Sequence, residues 1–567
     1  MKYLSFLIVF LLSTSLYSID ISNGTLSGNF ESYSQYNFTD SIIGAERTEE
    51  IFLSNSYFYM TYNTSDVTVG MRFEAYKNEL VGYDPRYRGH GIAHRFATYK
   101  SDLLDITVGH FYEQFGSGMI LRAYEERLLG IDNAFDGVRF KFRPYKGITL
   151  TGLAGNQRDF WENGDGLVRA ADLDLDLNSM LGFNSRLQYN LGSSVVSRFQ
   201  RSLSTSPILP ENVFAYSLRG GLIGSNFSVD AEYLYKYNDP NATNQQSFNP
   251  GQGLIINASY FQKGFSFIIN AHKVDNADMR SNRSSVGQEL MLNFIAPLTR
   301  QQTYALATIF PFATQLNGEM GIQADLTYKL PRNSLLGGKY GTTLNFNYSQ
   351  VNSIDSTAIF TEVDDRLITY SYDSDFISPI IGDRVYFREF NFEVNRRFSK
   401  NFKSRFTLIR SQYDRNQIEG GVKYGMVNST IAILEGTQKL GKGKALRFEA
   451  QHMWADMDSI PDFQDNQNGN WAMLLLEYTL PSGFYFTVFN MYNYDNQEKI
   501  YDDVDPSKYR IRDFSLNYLN ANIAYIYDAT RFSIGYGRFR GGLLCVGGIC
   551  RPVPAFSGFN FSISSSF

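Results

Sequence analysis

The sequence predicts an all-β protein that folds as a single large antiparallel transmembrane β-barrel, with short periplasmic turns and long extracellular loops. Three observations predict this fold: apolar and polar residues alternate along many short segments, the connections between segments alternate between short and long, and Phe, Tyr and Trp make up 16% of the chain. Such a barrel needs aromatic residues on its lipid face and in girdles at both interfaces, while its polar lumen keeps the mean hydropathy of the chain low. The mean hydropathy of −0.27 fits this pattern.

The segment 227–237, FSVDAEYLYKY, shows the alternation most clearly. Phe, Val, Ala and three Tyr residues fall on one face of an extended chain, while Ser, Asp, Glu and Lys fall on the other, with Leu234 as the exception. This period of two residues, repeated between turn residues, is typical of transmembrane strands. Similar segments occur at 24–37, 51–63, 66–78, 321–329, 343–349, 390–395 and 531–538.

The connections predict the topology. Short turns on one side and long loops on the other are usual in bacterial barrels, and an even number of strands follows if both termini are periplasmic. Counting strand pairs from both ends gives about 26 strands, in a range of about 22 to 26, because 178–200 and 297–318 are ambiguous. Short connections are expected at 101–103, 144–147, 224–226, 262–264, 399–401, 481–483 and 528–530, and long ones at 37–50, 79–91, 115–135, 156–166, 238–252, 275–286, 351–383, 455–468, 496–511 and 539–553.

The two ends of the chain predict export and membrane insertion. Residues 1–18 are expected to be a cleaved signal peptide, since Lys2 precedes a short apolar stretch, which leaves 19–567 as the barrel. The last segment, 557–567, has Phe559, Phe561, Ile563 and Phe567 on one face. It is expected to be the closing strand, the insertion signal presented to the barrel-insertion machinery. The predicted location is the cell outer membrane, in contact with its lipids.

Cys545 and Cys550 are the two cysteines, and two glycines separate them in CVGGIC. Exported proteins mature in an oxidising compartment, so a local disulfide is the main prediction. A metal pair is the alternative, although no His lies nearby to complete such a site.

Several long stretches carry a resemblance to a known family; they are 42–50, 72–102, 108–137, 144–148 and 545–558. Through them the chain resembles an uncharacterised family of large outer-membrane β-barrels of Bacteroidota, defined only as a domain of unknown function. The resemblance implies the phylum, the compartment and a single-domain barrel, and it transfers no catalytic residue.

The stretch 112–137 is the candidate functional segment. It joins two strands, and 119–129 is expected to form a helical turn or two. One interpretation is structural: an outer loop folds into the lumen, where its charges balance those of the barrel wall. The other is a constriction or gate whose opposed charges select permeants. The charged residues concerned are Glu113, Arg122, Glu125, Glu126, Arg127 and Asp132.

Other chemistry is weakly supported. His90 and His94 are expected in a loop because Gly89 and Gly91 flank them, and 172–177, DLDLDL, is expected to be a strand with an acidic lumen face rather than a calcium loop. The sequence has no linear hydrolase, zincin or Walker motif, so we predict a non-enzymatic protein without cofactors. The formal charge of −5 gives no reason to expect nucleic-acid binding.

Function follows from the size of the predicted barrel. A lumen this wide must be filled, and strands begin too early for an N-terminal plug. The first hypothesis is an accessory or scaffold subunit of a larger outer-membrane assembly or secretion complex, with protein partners. The alternative is a passive or gated pore for a bulky solute, and a surface enzyme ranks third.

Overall fold

A computed structural model describes residues 19–21, 23–182, 184–202, 204, 208–363, 367–378, 380–420, 425–458, 467–502, 505 and 507–567. The predicted signal peptide, 1–18, lies outside these residues. The described part of the chain forms a closed antiparallel barrel of 24 strands. Each strand pairs with the next along the chain, and the last pairs with the first, so the sheet has no free edge.

The barrel strands are β1 Gly24–Asn37, β2 Phe52–Asn63, β3 Val67–Tyr76, β4 Gly89–Lys100, β5 Leu104–Phe111, β6 Phe135–Tyr145, β7 Ile148–Asp159, β8 Glu162–Asp176, β9 Gln188–Phe199, β10 Asn212–Ile223, β11 Phe227–Lys236, β12 Gly251–Gln262, β13 Phe265–Asp275, β14 Gly318–Leu330, β15 Thr342–Ile354, β16 Ile381–Arg397, β17 Phe402–Asp414, β18 Met426–Gly441, β19 Lys444–Met457, β20 Asn470–Thr479, β21 Phe484–Tyr501, β22 Tyr509–Tyr527, β23 Thr530–Phe539 and β24 Phe556–Ser566.

Smaller elements lie in the connections. A short strand pairs with the start of β1, and the described residues between barrel strands form four small hairpins and five short helices. The short strands are Ile19–Ile21, Gln114–Phe115, Leu121–Arg122, Glu125–Glu126, Ile131–Asp132, Ser356–Val363, Leu367–Ser374, Gly542–Val546 and Ile549–Val553; the α-helices are α1 Leu177–Leu181 and α2 Arg415–Ile418, and the 3-10 helices are Pro85–Tyr87, Arg127–Leu129 and Leu306–Thr308.

The strand number lies within the predicted range but below the count of about 26. The two ambiguous stretches explain the difference. Residues 297–317, all of them described, add no strand to the barrel, because this apolar segment is buried in the lumen instead. The stretch 178–200 supplies α1 and the single strand β9. The long loop expected at 156–166 is also wrong, since only 160–161 separate β7 from β8.

The outer surface of the barrel is apolar where strands alternate. On β23, for example, Phe532, Ile534 and Tyr536 are each about half exposed, and they lie opposite Ile563, Phe561 and Phe559 of β24. A closed barrel satisfies every backbone group between strands and can therefore face lipid with apolar side chains. This is the architecture of an outer-membrane protein.

Across the described residues, every helix is too short or too polar to span a bilayer.

Closure of the barrel places the C-terminal residues next to the first strand. Gly28 and Phe567 exchange two backbone hydrogen bonds, of 3.0 and 2.9 Å. The Phe567 ring stacks against Phe58 at 6.4 Å, and Phe559 stacks against Phe561 at 6.2 Å. The four predicted insertion residues thus lie at the seam where β24 pairs with β1. They are Phe559, Phe561, Ile563 and Phe567, and their role as an insertion signal stays a prediction.

Candidate functional site: the luminal plug

Two long connections fold into the barrel and form what we call the luminal plug, residues 112–134 and 276–317. Met119, Ile120 and Leu121 are completely buried. They form one apolar cluster with inward-facing wall residues such as Val168 and Val196. Apolar residues at these positions bury themselves only if the loop enters the lumen, which explains why a polar extracellular loop did not form here.

The two plug segments hold each other through main-chain hydrogen bonds. The Arg122 amide donates to the Leu292 carbonyl at 2.7 Å, and the Phe294 amide donates to the Gly118 carbonyl at 3.0 Å. The Asn293 side chain donates to the Met119 carbonyl at 3.1 Å. The plug is therefore a single folded unit built from two parts of the chain.

The second plug segment continues to the far wall. The Phe312 ring stacks on Phe387 of β16 at 4.9 Å, and the Phe310 ring contacts Tyr413 of β17 at 5.6 Å. Leu306 and Ile309 are fully buried in the same cluster. Since the first segment packs against β8 and β9, the plug contacts walls on both sides and crosses the lumen.

Charged residues anchor the first plug segment to the wall. Arg72 of β3 binds Glu125 at 2.9 Å and also pairs with Asp132. Arg158 of β7 binds Asp132 at 2.6 Å and Glu74 at 2.7 Å, and Glu74 binds Arg72 at 2.7 Å. Apart from Glu125, these side chains are at most 7% exposed. We call these five residues the anchor cluster.

The anchor cluster controls how its acidic groups titrate. Burial by itself would raise the pKa of Asp132, but the charges of Arg158 and Arg72 outweigh it and hold that pKa well below its usual range. Burial raises the pKa of Glu125, with Arg72 opposing the shift. Oxygens of Glu74, Glu125 and Asp132 lie within 4.8 Å of one another, a spacing that a metal ion could also use. Here three arginines balance the three carboxylates, because Arg127 also binds Glu125, at 2.8 Å.

The other predicted residues of this loop fall into two groups, and the first also contacts the wall. Glu113 accepts from Arg139 at 3.1 Å and lies 3.1 Å from the Lys141 ammonium, both on β6. Arg127 pairs with Glu31 of β1 at 3.0 Å. Four of the six predicted charges, counting Glu125 and Asp132, therefore pair with barrel strands.

Arg122 and Glu126 form the second group, because their contacts are within the plug. The Arg122 guanidinium lies 4.2 Å from the centre of the Phe294 ring. The Glu126 carboxylate accepts from the Leu128 amide at 3.2 Å. Of the helical turn or two expected over 119–129, one 3-10 turn forms, at Arg127–Leu129, and it ends at Gly130, which adopts a left-handed conformation. The backbone bond to Leu292 keeps the preceding residues extended.

The disulfide between Cys545 and Cys550 is present in the structure, where the two residues face each other across a hairpin. Ile549 of this hairpin packs with Leu129 and Phe294 of the plug. The hairpin therefore covers the plug from the loop side, a contact that the sequence did not predict.

The histidine and acidic segments are strands. His90 and His94 lie on β4 and not in the expected loop, and a register shift in the β3–β4 pairing separates them: His90 is exposed, whereas His94 is buried. In DLDLDL, Asp172 is buried and accepts from Arg219 at 2.8 Å. Asp176 caps α1. Two carboxylates of the expected acidic lumen face, Asp172 and Asp174, thus pair with Arg219, which lies two strands away on β10.

Sequence reasoning missed the wall partners Arg72, Glu74 and Arg158. The alternation in β3 held a signal, because Arg72, Glu74 and Tyr76 share the inward face, where a charge needs a partner. No sequence pattern indicated which loop would supply that partner.

On the side of the short turns, the lumen carries an excess of positively charged side chains. A cavity of about 420 Å³ is lined by seven cationic side chains and one carboxylate, Glu435. Lys400, Lys403 and Lys439 are exposed there. We call this region the basic mouth. Its excess of positive charge is expected to concentrate anions on this side of the plug.

One protein-family model matches residues 1–567, and no curated protein matches the sequence. Solved structures with a similar barrel include the outer membrane transporter YddB from Escherichia coli (TM-score 0.40, 9% identity, 97% of this chain and 81% of that chain). They also include the FrpB iron transporter from Neisseria meningitidis (0.37, 8%, 97% and 83%) and a mutant of the ferric enterobactin receptor PfeA from Pseudomonas aeruginosa (0.42, 8%, 96% and 80%). At these TM-scores we draw no functional conclusion from them.

Proposed function

The chain belongs to the family of unknown function DUF6029, and because that membership assigns no activity, we propose from the site geometry that the protein is a non-enzymatic, gated outer-membrane pore. Its gate is the luminal plug, which its own loops form. A barrel of 24 strands is wide enough for a bulky solute once the plug is displaced.

The anchor cluster is the observation that carries this proposal. Asp132 of the plug lies between Arg72 and Arg158 of the wall, with no covalent link between plug and wall at this point. A buried ion pair balances strong attraction against the cost of desolvation. Water or a polar solute that enters the cluster can therefore replace these contacts, and the plug can leave the wall without unfolding the barrel.

The arrangement also provides a selectivity element. The acidic groups of the plug pair directly with arginines of β3 and β7. When the plug leaves the wall, these opposite charges would lie on the two sides of the path and create an electric field transverse to it. The basic mouth then follows on the turn side. A permeant would meet these two charged regions in succession.

The accessory-subunit hypothesis, which the sequence analysis ranks first, is now the second candidate. It rests on the expectation that so wide a lumen must be filled, for which a partner protein is one means and inward loops are another. In the structure, loops of the same chain fill the lumen, so a partner is not needed for this purpose. An accessory role would instead show itself through stoichiometric partners that co-purify in gentle detergent.

Single-channel conductance in planar bilayers tests the proposal. The full chain is compared with a variant in which 114–131 and 278–315, the main parts of both plug segments, are each replaced by a short Gly-Ser linker, and heat-modifiability on gels confirms that both are folded. We expect rare openings for the full chain and large steady conductance for the variant. A folded variant that stays silent would refute the gated pore and favour the accessory subunit.

A further inference from the structure

The loop side of the barrel carries a polar cavity of about 610 Å³, which we call the outer cleft. Thirteen of the twenty residues that line it carry an amide or hydroxyl group. Amides and hydroxyls both donate and accept hydrogen bonds, so such a lining matches ligands that do the same.

Among the described residues that line the cleft, only Asp278 and Arg280 are charged, and they form an ion pair. Arg280 donates to Oδ2 of Asp278 at 3.0 Å, and the Thr243 hydroxyl donates to the same oxygen at 2.5 Å. The pair leaves the cleft without net charge. The Asp278 side chain is 4% exposed, and its Oδ1 has no hydrogen-bond partner within the described part of the chain. A buried carboxylate oxygen of this kind requires a donor.

We propose that the outer cleft binds a neutral oligosaccharide through Asp278 and the surrounding amides. This inference rests on the proposed function and names the solute class of the pore. Asp278 Oδ1 is itself buried, so a sugar hydroxyl would donate to it after a small local movement of the lining. Gln288 and Gln315, which also line the cleft, could pair with neighbouring hydroxyls. A peptide fits less well, because the apolar lining is limited to Met291, Leu316 and Ile354.

The position of the cleft connects the sugar to the gate. Its lining includes both ends of the second plug segment, from Asn276 to Met291 and from Thr314 to Asn317. The Met291 carbonyl also accepts from Asn133 of the first plug segment at 3.0 Å. A sugar in the cleft therefore contacts the segment that must move for the pore to open.

Isothermal titration of the detergent-solubilised full chain tests this inference. The probes are maltohexaose, cellohexaose and mannohexaose, with hexagalacturonate as an acidic sugar and hexaserine as a neutral peptide. We expect at least one neutral sugar to bind with a Kd below about 1 mM. Asp278→Asn should weaken that binding about 10- to 100-fold. Glu289→Gln, a change on the same segment outside the cleft, should alter it less than about twofold.

Three results would overturn the inference: no neutral sugar bound at about 10 mM, binding of the acidic sugar or the peptide only, or equal affinity in Asp278→Asn. If that variant fails to fold, Gln288→Ala, which keeps the Asp278–Arg280 pair, replaces it with the same expectations. If the chain binds sugar but never conducts, the proposed pore is refuted and the sugar site is supported. If the chain conducts without binding sugar, only the sugar site is refuted.

Discussion

Neutralising Asp132 should release the plug. In Asp132→Asn the side chain keeps its shape and loses the charge that binds Arg72 and Arg158. The barrel strands do not depend on this contact, because their pairing is between backbones. We therefore expect a folded barrel whose plug leaves the wall far more often than in the unmodified chain.

The size of the effect follows from the burial of the cluster. Removing one partner of a buried ion pair costs about 3–5 kcal/mol. Glu74 still binds both arginines in the variant, so we take the lower end, about 3 kcal/mol. Since about 1.4 kcal/mol is a factor of ten, the ratio of released to seated plug should rise about 100-fold.

The assay is the frequency of single-channel openings, with Glu126→Gln as the matched control. Glu126 lies in the same loop, but it bonds to the backbone of that loop and not to the wall. The control should change the opening frequency by about threefold at most. Equal frequencies in the folded Asp132→Asn variant and the unmodified chain, or equal increases in both variants, would refute the reasoning.

Three further predictions concern pH, ion selectivity and folding. Acidification to about pH 4.5 should not open the pore. The pKa of Glu125 is raised in the seated plug, so proton uptake by Glu125 favours the seated state, and the pKa of Asp132 is lowered, so Asp132 stays charged until the pH falls below the ordinary aspartate pKa of about 3.8. A rise in conductance at about pH 4.5 would contradict this. With the plug deleted, the pore should prefer anions at low salt, and Lys403→Glu with Lys439→Glu should reduce or reverse the reversal potential that reports it. Gly109→Ala should lower the thermal stability of the barrel, because Gly109 has a φ of +96° and an added Cβ would lie 2.4 Å from a carbonyl oxygen; unchanged heat-modifiability would count against it.

The barrel could be predicted from local sequence because each strand carries its own pattern. In 227–237, alternation alone identifies the strand and its lipid face, and observed β11 begins at Phe227. The pattern fails where a segment is buried on all sides. Residues 297–317 are as apolar as a strand, yet they cross the lumen, and periodicity cannot distinguish these two environments.

For the candidate site, the sequence allowed the charged loop residues to be predicted but not their partners on the barrel wall. Charges in 112–137 stood out because they lie in a connection, where they are unusual beside so many apolar residues. Their partners on the wall look like ordinary lumen residues. Arg72 lies 53 residues from Glu125 in the sequence, and Arg158 lies 26 residues from Asp132. Pairing at such distances depends on how the loop enters the barrel, which depends in turn on Leu292 and its neighbours in a second loop.

The seam between β1 and β24 has a consequence for the order of folding. It joins Asn29 to Ser566, so the entropic cost of bringing its two sides together is the largest in the sheet, and this pairing is expected to form late. Both plug segments lie between strands that pair with near neighbours. Their apolar residues can thus settle on the curved wall while the sheet is still open. The ring then closes around a filled interior, and a nascent chain never needs to pass through an empty, leaking stage.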